Sequence, residues 1–373
     1  MLRADGTAPR RIVWMSWKDA SHPRAGGAEA VTASLAARLA ADGCEVTLLT
    51  SRFPGAAAEE VRDGYRIVRL GNRFTVYWRA WLHYRTFLCG QTDLVIDEVN
   101  TIPFLARFYA GCESIVFVHQ LAREVWFREL PFPLGLIGWC LEPFYLRLLS
   151  ASRAVTVSKS TATDLAACGF ASERVAIIRQ GCATAPVAEL TTKVEPPMLL
   201  CFGAMRPMKR TLDALEAFEL LKREMPHLRL VLAGDASGSY GRRVVERARA
   251  SAYADLISLP GRVSDAERAE LMRDARLLLV ASVREGWGLV VTEANAQGTP
   301  AVVYDVPGLR DSVRQGETGI VCARNSPAGL AEASLALLHD PTRYEALRRN
   351  AWAWSNDLTP RNRYDDFLRA ISR

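Results

Sequence analysis

The chain has 373 residues, enough for two domains, because a single domain usually holds about 100–200 residues. Hydrophobic residues make up 49% of the chain and charged residues 24%, which excludes a globally disordered protein. The net charge of +6 is spread evenly along the sequence, which argues against a nucleic-acid-binding protein, since such proteins gather basic residues on one face.

Secretion, metal-ribbon and membrane-spanning signals are missing from the sequence. The eight cysteines are isolated, without the Cys-x-x-Cys spacing of zinc ribbons or redox motifs. Residues 1–6 lack the apolar core of a signal peptide, and the uncharged run Leu130–Leu141 is too short to span a bilayer. We therefore expect a cytoplasmic protein, soluble or peripheral on the inner face of the membrane.

The first half of the chain alternates between strand and helix patterns, which is typical of α/β proteins with parallel sheets. Gly26 and Gly27 precede a helix that carries Val31, Leu35 and Leu39 on one face. Apolar strands are predicted at Arg11–Met15, Val46–Thr50, Leu94–Ile96, Ser114–Val118 and Ala154–Val157.

The pattern restarts after a proline-containing stretch at Thr184–Pro197, which we interpret as a domain linker. Helices are predicted to begin at Thr211, after Ser264 with its capping partner Glu267, and near Pro327. Further strands are predicted at Met198–Phe202, His227–Ala233, Ile257–Leu259, Leu277–Val280 and Ala301–Tyr304.

These patterns predict an α/β protein with two Rossmann-like domains in tandem. We place the first domain at residues 1–190 and the second at 195–354, with a last helix at about residues 355–373 that packs back on the first. A ligand site is expected in a cleft between the two, at the carboxyl ends of the strands.

The segment Glu285–Pro300 carries the strongest chemical signal. Glu285 follows a predicted strand, and glycines precede a helix near Leu289 whose N–H groups suit a phosphate. Glu293 lies eight residues after Glu285, so both carboxylates can face one ligand and accept hydrogen bonds from sugar hydroxyls. The alternative is a tight strand-to-helix turn with two solvated glutamates.

Glu285 and Glu293, with seven residues and two glycines between them, resemble the E-x7-E motif of retaining glycosyltransferases of the GT-B fold. The closest resemblance is to family 4, which uses nucleotide sugars and has two facing Rossmann-like domains. The similarity covers nearly the whole chain and includes Gly26-Gly27, His119, Val157–Ser160, Gly181, Gly203–Lys209, Gly261–Val263 and Gly308–Gly319. It implies an acceptor-binding first domain and a donor-binding second domain.

The resemblance assigns the donor diphosphate to the loop that begins at Gly203. Lys209 is expected to bind the diphosphate as a point charge on a flexible stem. The family usually has arginine directly after the glycine, where this chain has Ala204, and we expect Arg206 to substitute for it. Solvated loop charges are the alternative interpretation of Arg206 and Lys209.

The resemblance assigns the transferred sugar and the ribose to the E-x7-E segment, and the base to residues that follow the Ile257–Leu259 strand. Glu285 is expected to hold hydroxyls of the transferred sugar, with the backbone of Gly286, Trp287, Gly288 and Leu289 near the sugar and phosphate. Glu293 is expected to bind the ribose. The base is assigned to Arg262 and Val263, largely through backbone atoms.

The first domain contributes backbone and one histidine in this comparison. Gly26 and Gly27 are expected to approach the diphosphate, and His119, after an apolar strand, is expected to approach the sugar. An ordinary polar strand end is the alternative for His119, and His22 is a candidate for the acceptor side. Glu285, His119, Lys209 and Arg206 are the candidate catalytic residues.

The implied reaction moves a hexosyl-type group from a nucleoside diphosphate, of the UDP or GDP type, to an acceptor hydroxyl with retention. No carboxylate pair can be assigned to a double displacement, and the resemblance implies that the departing phosphate takes the acceptor proton. The sequence has no Asp-x-Asp motif, and the loop cations Arg206 and Lys209 are expected to offset the negative charge of the leaving diphosphate. We therefore predict no metal site and no cofactor besides the nucleotide-sugar co-substrate.

Aromatic and basic residues mix in the first domain, as is typical of a membrane interface. Arg62–Arg85 holds six arginines, one acidic residue and six aromatic residues, and Trp126–Tyr145 is aromatic and partly uncharged. We expect a saccharide or lipid-linked acceptor, in polysaccharide or glycoconjugate biosynthesis. A core helix with a solvated arginine face is the alternative.

Three other functions fit parts of the pattern. A nicotinamide dehydrogenase is disfavoured because the first βα turn lacks Gly-x-Gly-x-x-Gly and Ser51-Arg52 follow the second strand. A nucleotide-sugar epimerase shares the two-domain plan. A non-catalytic nucleotide-sugar-binding protein is the third alternative, favoured slightly by Ala204.

Overall fold

The computed structural model describes residues 10–181 and 184–372, which form two compact units. The first unit contains the chain up to Arg123, then Ile137–Ile178, and the end of the chain from Tyr364. The second unit contains Glu124–Leu136 and Arg179–Arg363. Residues 1–6, used above for the signal-peptide argument, and Cys182 lie outside the described residues.

The first unit is built on a sheet of eight strands in the described part of the chain, in the order β3-β4-β2-β1-β5-β6-β7-β8. Neighbouring strands are parallel except for the antiparallel pair β3 and β4. The strands are β1 (Arg11–Met15), β2 (Glu45–Thr50), β3 (Glu59–Arg62), β4 (Tyr65–Arg69), β5 (Leu94–Val99), β6 (Glu113–Val118), β7 (Arg153–Thr156) and β8 (Val175–Ile177).

The second unit is built on a parallel sheet, whose six strands in the described residues run in the order β11-β10-β9-β12-β13-β14. Its strands are β9 (Met198–Phe202), β10 (Arg229–Ala233), β11 (Ile257–Gly261), β12 (Leu277–Val280), β13 (Ala301–Val303) and β14 (Gly319–Val321).

Helices connect the strands in both units. A π-helical turn, Tyr84–Leu88, continues α2, and α4 contains Pro143. The helices are α1 (Gly27–Ala41), α2 (Val76–His83), α3 (Trp126–Glu129), α4 (Leu134–Leu149), α5 (Lys159–Ala167), α6 (Thr211–Leu221), α7 (Ser239–Arg249), α8 (Asp265–Asp274), α9 (Leu289–Ala296), α10 (Pro327–Leu338), α11 (Pro341–Ser355) and α12 (Pro360–Ile371). No helix of the described residues is both long and apolar enough to cross a bilayer.

The predicted fold class of two Rossmann-like domains with parallel sheets is confirmed. The central strands β5 and β12 are buried along their whole length, as expected for parallel strands that are covered on both faces. The capping box of Ser264 and Glu267 and the helix start at Pro327 are present as predicted.

Two features differ from the expected pattern. A hairpin, β3–β4, occupies the start of the arginine-rich segment and turns at Asp63 and Gly64, both of which have positive φ. Asp-Gly is a strong hairpin signal, but the segment was interpreted from its arginines as a basic surface, so this hairpin was not predicted. The chain also leaves the first unit at Glu124–Leu136, a short stretch that packs with the second unit.

Each sheet has a point where the strand order reverses, and ligands of open α/β sheets bind there, beyond the carboxyl ends of the strands. In the second unit this point lies between β9 and β12, whose following loops contain Lys209 and Glu285. In the first unit it lies between β1 and β5, and the loop after β1 leads to Gly26. The sheet topology therefore positions the predicted site residues.

Candidate active site

Two neighbouring loops form the centre of the candidate site in the second unit. One follows β9 and contains a short 3-10 turn, Pro207–Lys209; the other follows β12 and leads to Glu285. The backbone N–H of Val283 donates to the carbonyl of Met208 at 2.8 Å. This bond joins the two loops, so residues 76 positions apart in sequence meet at the switch point.

Lys209 and Glu285, both predicted as catalytic residues, are in direct contact. Lys209 Nζ lies 2.5 Å from Glu285 Oε1, and Ser282 Oγ donates to the same oxygen at 2.7 Å. The Lys209 side chain is 30% exposed and that of Glu285 is 12% exposed. The cation is thus neutralised by a carboxylate but remains accessible to a ligand with more negative charge.

The backbone of Glu285 is held by the loop after β13. Glu285 N–H donates to Pro307 O at 3.0 Å, and Gly308 lies directly against the Glu285 carbonyl. Gly308 has φ of +83°, and a Cβ there would lie 2.1 Å from Glu285 O. Only glycine fits this close approach, which fixes the position of the Glu285 backbone in the loop after β12.

The helix that follows Glu285 begins as predicted. Gly288 is its N-cap with φ of +91°, and α9 starts at Leu289. Glu293 is buried on this helix, 3.7 Å from Nη1 of Arg268, and burial raises the pKa of its carboxyl group. The Trp287 ring packs near Trp354, with 6.2 Å between ring centroids.

Arg206 lies on the same loop as Lys209 and is also paired with an acid. Its Nε is 3.6 Å from Oε1 of Glu129, which belongs to α3, and its Nη2 is 2.7 Å from the Sδ of Met208. The side chain of Arg206 is 45% exposed. The structure therefore brings Arg206 and Lys209 into one loop, each with a carboxylate partner.

Arg262 and Val263, predicted to hold the base, follow β11. Arg262 Nη2 donates to Asp235 Oδ2 at 2.9 Å, and the arginine is mostly exposed. A backbone hydrogen bond from Ser237 and the bond from Arg262 lower the pKa of Asp235 to about 2. Asp235 therefore stays ionised beside Arg262 throughout the physiological range.

In the first unit, the glycine loop is occupied by a carboxylate of its own helix. Gly26 is the N-cap of α1, and its N–H donates to Glu29 Oε2 at 2.6 Å. Lys18 Nζ lies 3.1 Å from the other oxygen of Glu29. His22 stands between the rings of Trp17 and Phe53, and burial lowers its pKa.

His119 follows β6 and is buried rather than lying at a solvated strand end. Its ring packs on Phe117 with 4.4 Å between centroids, and its Nε2 lies 3.4 Å from Oε1 of Glu98. Glu98 is itself buried in β5. The histidine thus lies beside a carboxylate that our reading of the sequence did not single out.

Sequence reasoning also missed Ser282 and Arg284. Ser282 holds Glu285, and the buried Arg284 lies 2.9 Å from Glu124 of the short stretch Glu124–Leu136. Neither contact has a spacing signal. For Glu98 a signal existed, because two consecutive acids, Asp97 and Glu98, end an otherwise apolar strand.

The described residues contain no group of three or more His, Cys, Asp or Glu side chains arranged to hold a metal ion. The seven described cysteines are free thiols.

The arginine-rich segment contains both structural and exposed arginines. Arg66 pairs with Glu59 across the β3–β4 hairpin, Arg62 pairs with Glu60 within β3, and Arg69 is buried between Asp19 and Glu60. The remaining arginines of the segment, Arg73, Arg79 and Arg85, are exposed. Half of the arginines in this segment are therefore paired with acidic side chains of the first unit, and one of them, Arg69, is buried.

Two helices of the first unit expose large apolar side chains. On and around α2 these are Phe74, Trp78, Trp81, Leu82 and Phe87, whereas Val76, Ala80 and Tyr84 face the core. On α4 the exposed positions recur on one helix face and include Ile137, Leu141, Phe144 and Leu148. We call these residues the α2–α4 surface.

Two protein-family models together match most of the chain. The family model described as "Glycosyltransferase Family 4" matches residues 25–185, and the model described as "Glycosyl transferases group 1" matches residues 187–354. Glycogen synthase of Mycobacterium tuberculosis is 28% identical over 309 residues, which is 80% of this chain and 69% of that protein.

Two solved structures with the same architecture cover almost the whole chain. Sucrose-phosphate synthase from Thermosynechococcus elongatus has a TM-score of 0.77 and 19% identity, over 97% of this chain and 98% of that one. Anabaena Alr3699/HepE in complex with UDP-glucose has a TM-score of 0.72 and 16% identity, over 97% and 99%. From these matches and the two sheets described above, the chain belongs to glycosyltransferase family 4 and has the GT-B fold.

Proposed function

We propose that the protein transfers a glycosyl group from a nucleoside diphosphate sugar to an acceptor hydroxyl, with retention at the anomeric carbon. The observation that carries this proposal is the pairing of Lys209 with Glu285 at the switch point of the second sheet, next to the start of α9. A cation, a hydroxyl-binding carboxylate and a helix N-terminus at one place suit a sugar diphosphate.

The ion pairs of Lys209 and Arg206 are partly exposed, which supports a donor whose diphosphate replaces their acidic partners. The donor diphosphate takes the place of Glu285 on Lys209 and of Glu129 on Arg206, and Glu285 is then released to accept hydrogen bonds from the sugar. Glu293, buried on α9, is proposed for the ribose hydroxyls. The roles that the resemblance gives to His119, Gly26-Gly27, Arg262 and Val263 stay predictions.

The proposed chemistry needs no covalent intermediate. The bond between the anomeric carbon and the diphosphate breaks, the acceptor oxygen bonds to the same face, and the departing phosphate takes the acceptor proton. Charge that develops on the diphosphate is stabilised by Lys209, Arg206 and the amides at the start of α9. UDP-glucose is a bound ligand in Alr3699/HepE, which supports a nucleotide-sugar donor here.

A thermal-shift panel of UDP, GDP, ADP and dTDP sugars tests the donor. We expect the sugars of one of these nucleotides to raise the melting temperature, because a ligand that binds only the folded state stabilises it. Lys209→Ala should abolish this shift. Arg324→Ala is the control, since Arg324 is an exposed arginine of the same unit that pairs with Glu332. A shift that survives in Lys209→Ala contradicts the proposed donor site.

We also propose that transfer is independent of metal ions. Lys209 and Arg206 supply the positive charge that a metal supplies to a leaving diphosphate in other enzymes. Full turnover in EDTA is the expected result. Loss of turnover in EDTA that added Mg²⁺ or Mn²⁺ restores contradicts this part of the proposal.

For the acceptor, we propose a lipid-linked molecule that the enzyme reaches from the membrane surface. Tyr145 of α4 donates a hydrogen bond to Thr101 O, and the ring of Tyr77 of α2 packs on Phe104 with 4.8 Å between centroids, so both helices pack against the loop after β5. Phe144, the most exposed large residue of α4, is 63% exposed, and Trp78 is 51% exposed. The exposed Arg73, Arg79 and Arg85 add positive charge that anionic headgroups attract.

Sedimentation with vesicles tests the membrane proposal. We expect binding to anionic vesicles at low salt, weaker binding at high salt, and loss of binding in Trp78→Ser with Phe144→Ser. Val61→Ser is the control, because Val61 is also an exposed apolar residue but lies on β3. Absence of binding at low salt, or equal loss in the control, contradicts the proposal.

A further inference from the structure

The first unit contains a buried carboxylate that the proposed reaction does not use. Glu98 lies in β5 and is inaccessible to solvent. Its Oε2 accepts hydrogen bonds from Trp14 Nε1 at 2.7 Å and from Thr32 Oγ1 at 2.8 Å. Its Oε1 accepts a hydrogen bond from Asn100 Nδ2 at 3.2 Å.

The same Oε1 faces His119. The distance from Oε1 to His119 Nε2 is 3.4 Å, and Nε2 is a buried atom without a hydrogen-bond partner in the described part of the chain. The His119 ring also packs against Phe117, with 4.4 Å between ring centroids. A small rotation of either side chain therefore completes a hydrogen bond between Nε2 and Glu98.

A carboxylate at this place has a chemical consequence that an amide lacks. An ionised carboxylate only accepts hydrogen bonds, so the imidazole nitrogen that faces it must carry the proton. The other nitrogen, Nδ1, then keeps its lone pair. Burying a carboxylate costs free energy, and Trp14 and Thr32 by themselves need only an acceptor, which an amide oxygen also supplies.

We propose that Glu98 is a positioning residue that holds His119 in the tautomer protonated on Nε2. Nδ1 is then a hydrogen-bond acceptor, which suits a hydroxyl of the transferred sugar. The part of this inference that concerns the sugar rests on the proposed function, whereas the tautomer of His119 does not.

Nitrogen chemical shifts of the histidine rings test the tautomer without any substrate. The whole protein is labelled at histidine nitrogens, and His119→Asn assigns the signal among the five histidines. At pH 8.5 we expect the proton on Nε2 in the natural protein. In Glu98→Gln we expect the Nδ1–H form to appear, because the amide can donate to Nε2.

Thr32→Val is the matched control, since it removes another hydrogen bond to the same carboxylate but keeps the charge beside His119. It is expected to leave the tautomer unchanged. A ring protonated on Nδ1, or on both nitrogens, in the natural protein overturns the proposal, as does an identical tautomer in Glu98→Gln. If Glu98→Gln does not fold, Glu98→Asp withdraws the charge by one methylene, and an unchanged ring signal there overturns it equally.

Kinetics then separate positioning from structural support. With the donor identified by thermal shift, Glu98→Gln should lower kcat by about 10–100-fold and leave nucleotide affinity unchanged. The double variant with His119→Asn should be no slower than His119→Asn alone. Additive losses contradict positioning through His119. The expected tautomer without turnover on any donor contradicts the proposed function only.

Discussion

The buried Arg69–Asp19 pair of the first unit contrasts with the partly exposed ion pairs at the candidate site of the second unit. In the first unit, Arg69 and Asp19 are 1% and 0% exposed, and Glu98 is equally buried. In the second unit, three ion pairs of the candidate site, Lys209–Glu285, Arg206–Glu129 and Arg262–Asp235, all reach solvent, whereas Glu293 is buried.

The difference in exposure distinguishes ion pairs that stabilise the fold from ion pairs whose members can bind a ligand instead of each other. A buried ion pair has lost its water, so removing one partner leaves an uncompensated charge. A half-exposed pair keeps much of its hydration and contributes little to stability, so a diphosphate can replace one partner at small cost.

Arg69→Ala should destabilise the protein by about 3–5 kcal/mol, because it leaves Asp19 buried without its cation. Arg69 also donates to Ala57 O and pairs with Glu60, so several groups lose a partner. Chemical unfolding measures the change. Arg66→Ala is the control, since Arg66 pairs with Glu59 on the surface. Equal losses in both variants would contradict the contrast.

Glu285→Ala should lower turnover by about 10²-fold or more, as expected when a transition-state contact is removed. Stability should change little, because Glu285 is held by the half-exposed Lys209 and by Ser282. Steady-state kinetics and thermal unfolding are measured on the same samples. Near-unchanged turnover would remove the role proposed for Glu285.

Lys193 contributes a buried amine to the second unit. Nζ donates to Arg273 O at 2.7 Å and to Thr299 Oγ1, and burial lowers the pKa of the amine from 10.5 to about 6. Between these values the unfolded chain binds the extra proton, so the free energy of unfolding falls as pH falls from 10.5 to 6.

Lys193→Met should remove this pH dependence, which amounts to at most about 1.4 kcal/mol per pH unit. The measurement is the difference in unfolding free energy between the natural protein and the variant at pH 6.5, 7.5 and 8.5. The exposed Lys159→Met serves as control. A difference that stays constant with pH would show that Lys193 is charged in the folded protein.

Glu129→Gln should have the smallest effect, less than about 1 kcal/mol on stability, because both partners of its ion pair are partly exposed. Nucleotide affinity should rise a few-fold, since the diphosphate no longer competes with Glu129 for Arg206. Calorimetric titration with the identified nucleotide measures the change. Glu332→Gln, the same charge change at an exposed pair with Arg324, controls for net charge.

Elements defined by local patterns were predictable. The buried strands are apolar runs because both sheet faces are covered, and Glu285 follows β12 as the apolar run Leu277–Val280 indicated. The capping pair Ser264 and Glu267 marked the start of α8 for a local reason, since its hydrogen bonds join residues three apart.

Contacts between distant parts of the sequence were not predictable. Glu124 and Arg284 are 160 residues apart, and nothing in either local pattern indicates that they meet. Glu98 was missed because its partners, Trp14 and His119, come from neighbouring strands or their ends, so only the sheet order reveals the cluster. The sequence often indicated the chemical role of a residue but not the distant residue that it contacts.

The detour at Glu124–Leu136 and the return of the chain at Tyr364 make each unit discontinuous in sequence. The polypeptide passes from one unit to the other after Arg123, Leu136, Ile178 and Arg363. A chimaera that exchanges the second unit for that of a related enzyme therefore requires four junctions. A single cut in the linker near residue 185 would deprive the grafted unit of α3 and of the partner of Arg284.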